Sequence, residues 1–389
     1  MDSSPPPGLL PKRPDPSVKS VLVHRPSSIG DSVVALPALR LIAAAFPQAK
    51  RCLLTIEPQN GEKPLKSVLG IGDPDSGTGA LFHHIISYPI YLRRWADIKA
   101  LKTEIARFAP ERVLYLVNTL GRKRVYRDAA FLTLVGGGGK HLPIGLPLGK
   151  DRFHPRPGER EAARLLRCLD SLGTADLSHP SNWDLGISAA ETAQAEARLR
   201  SGPPGLLDQP LLMAGAGAKV PAKDWGAERW GAFLRQAREM LPNGPGPMGL
   251  LLCGGPDERP RFEALAQHWP SRSEGGGPVD IITDPPRITA ALCAHPLVKA
   301  FVGHDGGPMH LAAAAGCPTI GLFAGTDHYG RWTPLGPPGK QRTMEHPVPC
   351  APCFSLTCKT PGHPCLAEIT PTQLWQNLLD ILNQDRVET

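Results

Sequence analysis

Between Pro210 and Phe323 the chain alternates five short apolar runs with helical segments, and this alternation limits the fold more than anything else in the sequence. Strands are predicted at Pro210–Ala214, Met248–Cys253, Val279–Thr283, Val298–Val302 and Pro318–Phe323. Helices are predicted between them at Ala227–Met240, Glu258–His268, Arg287–Cys293 and Pro308–Ala315. Runs apolar throughout belong to strands buried on both faces, and repeated βα units build an open parallel sheet with helices on both sides. The fold class is α/β, doubly wound.

The stretch Phe301 to Gly316, FVGHDGGPMHLAAAAG, joins a strand end to a helix through a sharp glycine turn. Proline suits the first turn of a helix, because its missing N–H has no partner there anyway. Paired glycines let an anion approach the backbone, and the N-terminus of the new helix attracts it. The turn reads either as a phosphate cradle at the carboxyl ends of parallel strands or as a glycine-rich βα connection without a ligand.

The first half repeats the alternation more loosely. Ser20–His24 reads as a strand, Arg25 to Gly30 as a loop, and Asp31–Phe46 as a helix kinked at Pro37. Residues 1–19, rich in proline and serine, are expected to form a disordered tail. The punctuation Ser201-Gly202-Pro203-Pro204-Gly205 is the preferred boundary. Four segments follow: the tail 1–19, a first domain 20–202, a second 203–345, and a Cys-rich tail with a helix, 346–389, packing back on the junction. At 389 residues the chain has room for two cores.

The net charge of +7 is concentrated. Between Leu81 and Arg152 lie thirteen Lys and Arg against five acids, which fits an anionic partner or a solvated basic face. Nucleic acid ranks last as that partner, since no binding motif accompanies the charge and aromatics make up only 6% of residues. No apolar run approaches the roughly 18 residues of a membrane span and no secretory signal is present, so a cytoplasmic protein is expected.

Three blocks resemble the heptosyltransferases of glycosyltransferase family nine. They are Val21–Pro47, with its Ser-x-Gly-Asp loop; Met213–Trp230, with its Lys-x-Trp segment; and Phe301–Trp332, with Asp-x-Gly-x-x-His and then Gly-x-Thr-Asp. The Cys-rich C-terminal segment is similar as well. The resemblance implies a GT-B fold, two Rossmann-like doubly wound domains facing across a cleft. It also implies inverting transfer of heptose from ADP-heptose to the anionic inner core of lipopolysaccharide, without a catalytic metal or other required cofactor. Such an enzyme would work in the cytoplasm, with peripheral contact at the inner face of the inner membrane as a further possibility.

Inverting transfer needs a base for the acceptor hydroxyl and a group that offsets the charge on the leaving diphosphate. Asp31 matches the family's base, although an Asp before an apolar helix also serves as an N-cap. Lys223 is the cation for the diphosphate. Gly306 and Gly307, with His310, would carry the donor phosphates, and Asp305 would accept from sugar hydroxyls. Ala216 and Gly217 offer main-chain donors, and Glu258 is placed to hold the ribose. Arg25, Ser27 and Ser28 are the acceptor-side candidates. Asp327 belongs to the loop beyond.

Cys350, Cys353, Cys358 and Cys365 form a C-x2-C-x4-C-x6-C pattern, with His363 among them. Four such thiols are candidates for a structural metal, or remain free or buried thiols. Two further readings stay open: a GT-B transferase for another nucleotide sugar or for a protein or other glycan acceptor, and a non-catalytic nucleotide-sugar binding module. A Rossmann oxidoreductase is disfavoured, since no G-x-G-x-x-G follows the first strand.

Overall fold

The computed structural model describes residues 7–26, 28–57, 68–71, 81–89, 92–117, 122–135, 142–146, 156, 158–241, 246–274, 276–336 and 339–387. Ser27 and Gly136–Gly139 lie outside the described residues. The chain divides into two compact units, Met1–Gly186 and Ile187–Thr389.

The first unit runs β1 (Leu9–Pro11), β2 (Ser20–His24), α1 (Ile29–Val34), α2 (Leu36–Ala45), β3 (Lys50–Glu57), β4 (His84–Pro89), α3 (Trp95–Phe108), β5 (Arg112–Tyr115), α4 (Arg122–Val135), α5 (Glu161–Cys168) and β6 (Gly173–Ala175). Its parallel sheet has the order β4-β3-β2-β5, so the chain reverses direction across the sheet between β2 and β5. One face packs Leu22, Leu54 and Ile86 under Leu101 and Ile105 of α3 and Val125 and Leu132 of α4.

The helix expected over 31–46 is two helices that meet at Ala35. Pro37 in the first turn of α2 cannot donate to a preceding carbonyl, so the ladder stops and restarts. The expected disordered tail is corrected from Gly8 onward. Leu9–Pro11 pairs antiparallel with β6, and Leu9 and Val18 are buried. Two apolar side chains and a short ladder outweigh the proline and serine content there.

The second unit runs α6 (Ala189–Arg200), β7 (Leu211–Gly215), α7 (Ala227–Met240), β8 (Gly249–Cys253), α8 (Arg259–Ala266), β9 (Val279–Ile282), α9 (Pro286–Cys293), β10 (Val298–His304), α10 (Gly307–Ala314), β11 (Thr319–Phe323), β12 (Gln341–Glu345), α11 (Pro364–Ala367) and α12 (Pro371–Val387). All six strands are parallel, in the order β12-β11-β10-β7-β8-β9. This is the doubly wound order, with its switch point between β7 and β10.

Strand residues alternate between two cores. Leu212, Ala214, Leu250 and Val302 meet Trp230 and Phe233 of α7 and Trp375 of α12. Leu211, Met213, Leu251 and Phe301 meet Leu199 of α6, Leu292 of α9 and Met309 of α10.

Two boundaries differ from expectation. The units divide ahead of Ser201–Gly205, because α6 packs on α9 and buries Ala195 and Leu199 in the second core. The C-terminal helix α12 belongs to that same unit's core, against α7 and β10. Among the described residues no helix is long and apolar enough to cross a membrane.

Candidate functional site

In the first unit the candidate base stands just past the carboxyl end of β2. Ser28, not Asp31, caps α1. Its backbone N–H and Oγ donate to Asp31 Oδ2 at 3.1 and 2.8 Å, closing a capping box with Asp31 as the third helical residue. Arg25 is fully buried, which corrects its expected contact with the acceptor. Its guanidinium donates to the Leu116 carbonyl, just beyond β5, at 2.8 Å and to the Asp31 carbonyl at 2.9 Å. It also lies 3.7 Å from Asp31 Oδ1. The arginine therefore ties the Asp31 turn to the neighbouring strand across the sheet's switch point. The Asp31 side chain keeps 18% of its surface exposed.

In the second unit four expected residues converge at the switch point. Lys223 ends the short turn Pro221–Lys223 after β7, and its Nζ lies 2.5 Å from Asp305 Oδ2. Asp305 directly follows β10, and His310 of α10 approaches its other oxygen, Nε2 to Oδ1, at 3.7 Å. Burial opposes charge on Asp305, yet the nearby His310 imidazole and the Lys223 ammonium hold the carboxyl below the ordinary range. Asp305, expected to meet sugar hydroxyls, is thus engaged by Lys223 and His310 of the protein itself.

Gly306 precedes α10 in extended backbone, and α10 opens at Gly307, one residue before the expected Pro308. No side chain caps this helix. Its first-turn N–H groups and positive dipole end are left for water or an anion.

Glu258 follows β8 and accepts from the Gly255 N–H at 2.8 Å. A Cβ on Gly217 would stand 2.1 Å from Glu258 Oε1, so the glycine is what lets this carboxylate reach the end of β7. The methyl group of Ala216 lies fully buried in the core, which leaves its main chain, the group expected to serve there, as what it can offer a ligand. Asp327 is occupied locally by Arg331 at 3.1 Å and Trp332 Nε1 at 2.8 Å.

Sequence reasoning missed His304, the last residue of β10. Its Nε2 accepts from the Trp225 backbone N–H at 2.9 Å and from Trp230 Nε1 at 3.2 Å. The proton therefore sits on Nδ1, which donates to the Gly217 carbonyl at 2.9 Å. Burial pushes this imidazole down to about 4 and keeps it neutral. The ring pins both ends of the loop that carries Lys223. Asp224 adds a bidentate pair with Arg261, at 2.6 and 2.7 Å. The available signal was position, since a histidine at the end of a buried strand needs polar partners.

Cys350 and Cys353 are exposed, Cys358 is half-buried and Cys365 is buried. Among the described residues no group of three or more His, Cys, Asp or Glu is placed to hold a metal ion.

The family description "Glycosyltransferase family 9 (heptosyltransferase)" matches residues 163–363, more than half of the chain. No curated protein sequence matches significantly. Among solved structures, a family 9 glycosyltransferase from Veillonella parvula DSM 2008 is similar at TM-score 0.66 and 18% identity, covering 94% of this chain and 98% of that one. E. coli ADP-heptose LPS heptosyltransferase II is similar at TM-score 0.63 and 16% identity, covering 94% and 99%. E. coli heptosyltransferase WaaC, solved with ADP, is similar at TM-score 0.56 and 19% identity, covering 93% and 99%. At these identities the likeness concerns the fold, two doubly wound units of the GT-B kind. With the profile match spanning the Lys-x-Trp and Asp-x-Gly-x-x-His blocks, the chain belongs to glycosyltransferase family 9, the heptosyltransferases, and is a glycosyltransferase.

Proposed function

We propose that this enzyme transfers heptose from ADP-heptose to the inner core of lipopolysaccharide, inverting the anomeric centre. Asp31 takes the proton of the acceptor hydroxyl as its oxygen attacks the anomeric carbon. The bond from that carbon to the diphosphate oxygen breaks, and ADP leaves carrying the electron pair. Lys223 and the uncapped first turn of α10 offset the charge that grows on the diphosphate, with His310 as a further donor. Glu258 accepts from the ribose hydroxyls. Asp305 acts as a positioning residue that aims Lys223, and Arg25 and Ser28 do the same for Asp31. Catalysis needs no metal in this reading. The acceptor is an anionic glycolipid, so the work is done at the inner face of the inner membrane.

One observation carries the reading. Each doubly wound sheet places its candidate groups at its own switch point, Asp31 between β2 and β5, and Lys223 with Asp305 between β7 and β10. The test is product mass spectrometry with ADP-heptose and truncated lipopolysaccharide acceptors, run beside other nucleotide sugars. Asp31→Asn should lower kcat by about 10²–10⁴-fold while ADP affinity stays within a factor of two, as expected for loss of a general base. Transfer that survives the substitution would remove Asp31 from its role. Turnover only with a different nucleotide sugar, or only on a protein acceptor, would replace the donor or the acceptor.

A further inference from the structure

The Cys-rich segment between β12 and α11 lies against both loops that flank the donor-side groups. Cys353 and Phe354 donate their backbone N–H groups to the Gly325 and Thr326 carbonyls, at 2.9 and 3.0 Å, in the loop after β11. Two residues further on, the Leu356 carbonyl accepts from the Ala222 N–H at 3.0 Å, in the turn after β7. In the sheet order β11-β10-β7 the strand between these two loops is β10, which runs directly into Asp305.

The segment then turns back on itself at Thr360. The Cys358 thiol donates to the Thr360 carbonyl at 3.5 Å, and the Thr360 hydroxyl donates to Cys350 Sγ at 3.7 Å. His363 follows, with its Nε2 3.0 Å from the Ala222 carbonyl. A carbonyl can only accept, so the imidazole donates from Nε2 there. One segment therefore holds both the N–H and the C=O of Ala222, the residue directly before Lys223. Past His363, Cys365 and Leu366 are buried in the core that contains Trp225 and Trp230, and they anchor the segment from behind.

The backbone marks the same places. Among the described residues three that are not glycine take positive φ: Ala109, Phe354 and His363. Ala109 is the left-handed cap that commonly ends a helix. Phe354 at 48° and His363 at 51° end no helix, and each sits at a contact with a donor-side loop. Strain of this kind persists only where the surroundings over-determine it, and it gathers at functional sites. The His363 side chain does not cap α11 either, and glycine would fit this backbone better. What the histidine adds is its imidazole on the Ala222 carbonyl.

We propose that His363 is a positioning residue for Lys223, acting through the Ala222 carbonyl, and that segment 353–363 is a strap fixing where the ammonium meets the leaving diphosphate. That carbonyl belongs to the planar peptide unit joining Ala222 to Lys223, so displacing it displaces the lysine backbone. Asp305 aims Nζ from one end and His363 fixes the main chain at the other. This deepens the reading above and rests on it for the role of Lys223, but not for the strap itself.

The test compares His363→Gly, which suits the backbone and removes the donor, with His363→Gln, which keeps an N–H donor within reach. Turnover of the full chain with ADP-heptose and a truncated lipopolysaccharide acceptor is measured beside hydrogen exchange across residues 220–225. In His363→Gly, kcat should fall about tenfold while the donor KM stays within about a factor of two. Exchange across the turn should become about tenfold faster. The urea midpoint should hold at the wild-type value, since glycine relieves the left-handed backbone. His363→Gln should regain most of the lost rate and protection. In a Lys223→Met background, His363→Gly should cost nothing more.

A wild-type kcat in His363→Gly overturns the proposal, as does a His363→Gln as slow as His363→Gly. So does a further loss of the same size in the Lys223→Met background, or a urea midpoint that falls in step with kcat, which marks packing alone. If Lys223→Met itself keeps the wild-type rate, or no variant turns over ADP-heptose, the reading of the reaction fails instead. The strap is then judged by exchange: faster in His363→Gly and restored in His363→Gln sustains it, and any other pattern ends it.

Discussion

Lys223 Nζ and Asp305 Oδ2 are 2.5 Å apart, so the turn after β7 and the residue closing β10 are joined across the switch point of the second sheet. An ammonium that must meet a diphosphate is worth more when it is already aimed, because it does not reorganise as charge develops. Lys223→Met should lower kcat by roughly 10²–10³-fold. Asp305→Asn should lower it too, through a Lys223 that is no longer held. If the two act as one unit, the double variant will be about as slow as the worse single. Steady-state kinetics on all four proteins decides this, and fully multiplicative losses would separate the two roles.

Gly217 and Glu258 form a second coupled pair. Gly217→Ala puts a methyl where the Glu258 carboxylate now stands, and the flexible acid side chain gives way more readily than the backbone. The fold should survive while ADP affinity drops by roughly tenfold, the loss of one charge-assisted hydrogen bond. Glu258→Gln should reproduce the effect, and adding Gly217→Ala to it should cost little more. Calorimetric titration with ADP reads all three.

The comparison of sequence with structure has a physical pattern. The central strands β7, β8 and β11 were readable because strands buried on both faces are apolar throughout, and the edge strand β9 was readable because three of its four residues are still Val or Ile. The edge strands β4 and β12, HIISYP and QRTME, were not, because an edge exposed to water tolerates polar residues. Lys223, Asp305 and His310 could be named from motif order, but not that they would bind one another, since ion pairing depends on long-range register. Arg25 misled for the opposite reason: a loop arginine reads as surface until a carbonyl 91 residues away, that of Leu116, is found beneath it. His304 lay inside the Phe301–Gly316 stretch and was passed over because a buried neutral histidine leaves no charge pattern.

Acid should destabilise both units before their carboxylates are titrated. Burial holds His24 and His304 down to about 4 against 6.5 when unfolded. Between those values the unfolded chain binds more protons, so stability is full above pH 6.5 and is lost as pH falls toward 4. Each group contributes a slope of up to about 1.4 kcal/mol per pH unit within the window. Urea midpoints at pH 7, 6 and 5 test this, and His304→Asn should flatten the dependence of the second unit. An unchanged slope would mean that proton uptake resides elsewhere.

The C-terminal helix should matter to the donor site although it lies behind it. Trp375 of α12 stacks on Phe233 with ring centroids 4.9 Å apart, and its Nε1 donates to the Phe233 carbonyl at 2.7 Å. Just ahead of α12, the Ile369 carbonyl accepts from Trp225 Nε1 at 2.8 Å, and Trp225 follows Lys223 by two residues. Trp375→Ala opens a cavity between α7 and α12 and should cost about 3–5 kcal/mol of the second unit's stability. Trp375→Phe keeps the stack and should cost only about 1 kcal/mol, the worth of the indole hydrogen bond. If the tail also braces the Lys223 turn, ADP affinity will fall with stability across Trp375→Phe and Trp375→Ala under conditions where both proteins remain folded. Affinity that stays constant while the urea midpoint drops would confine the helix to a packing role.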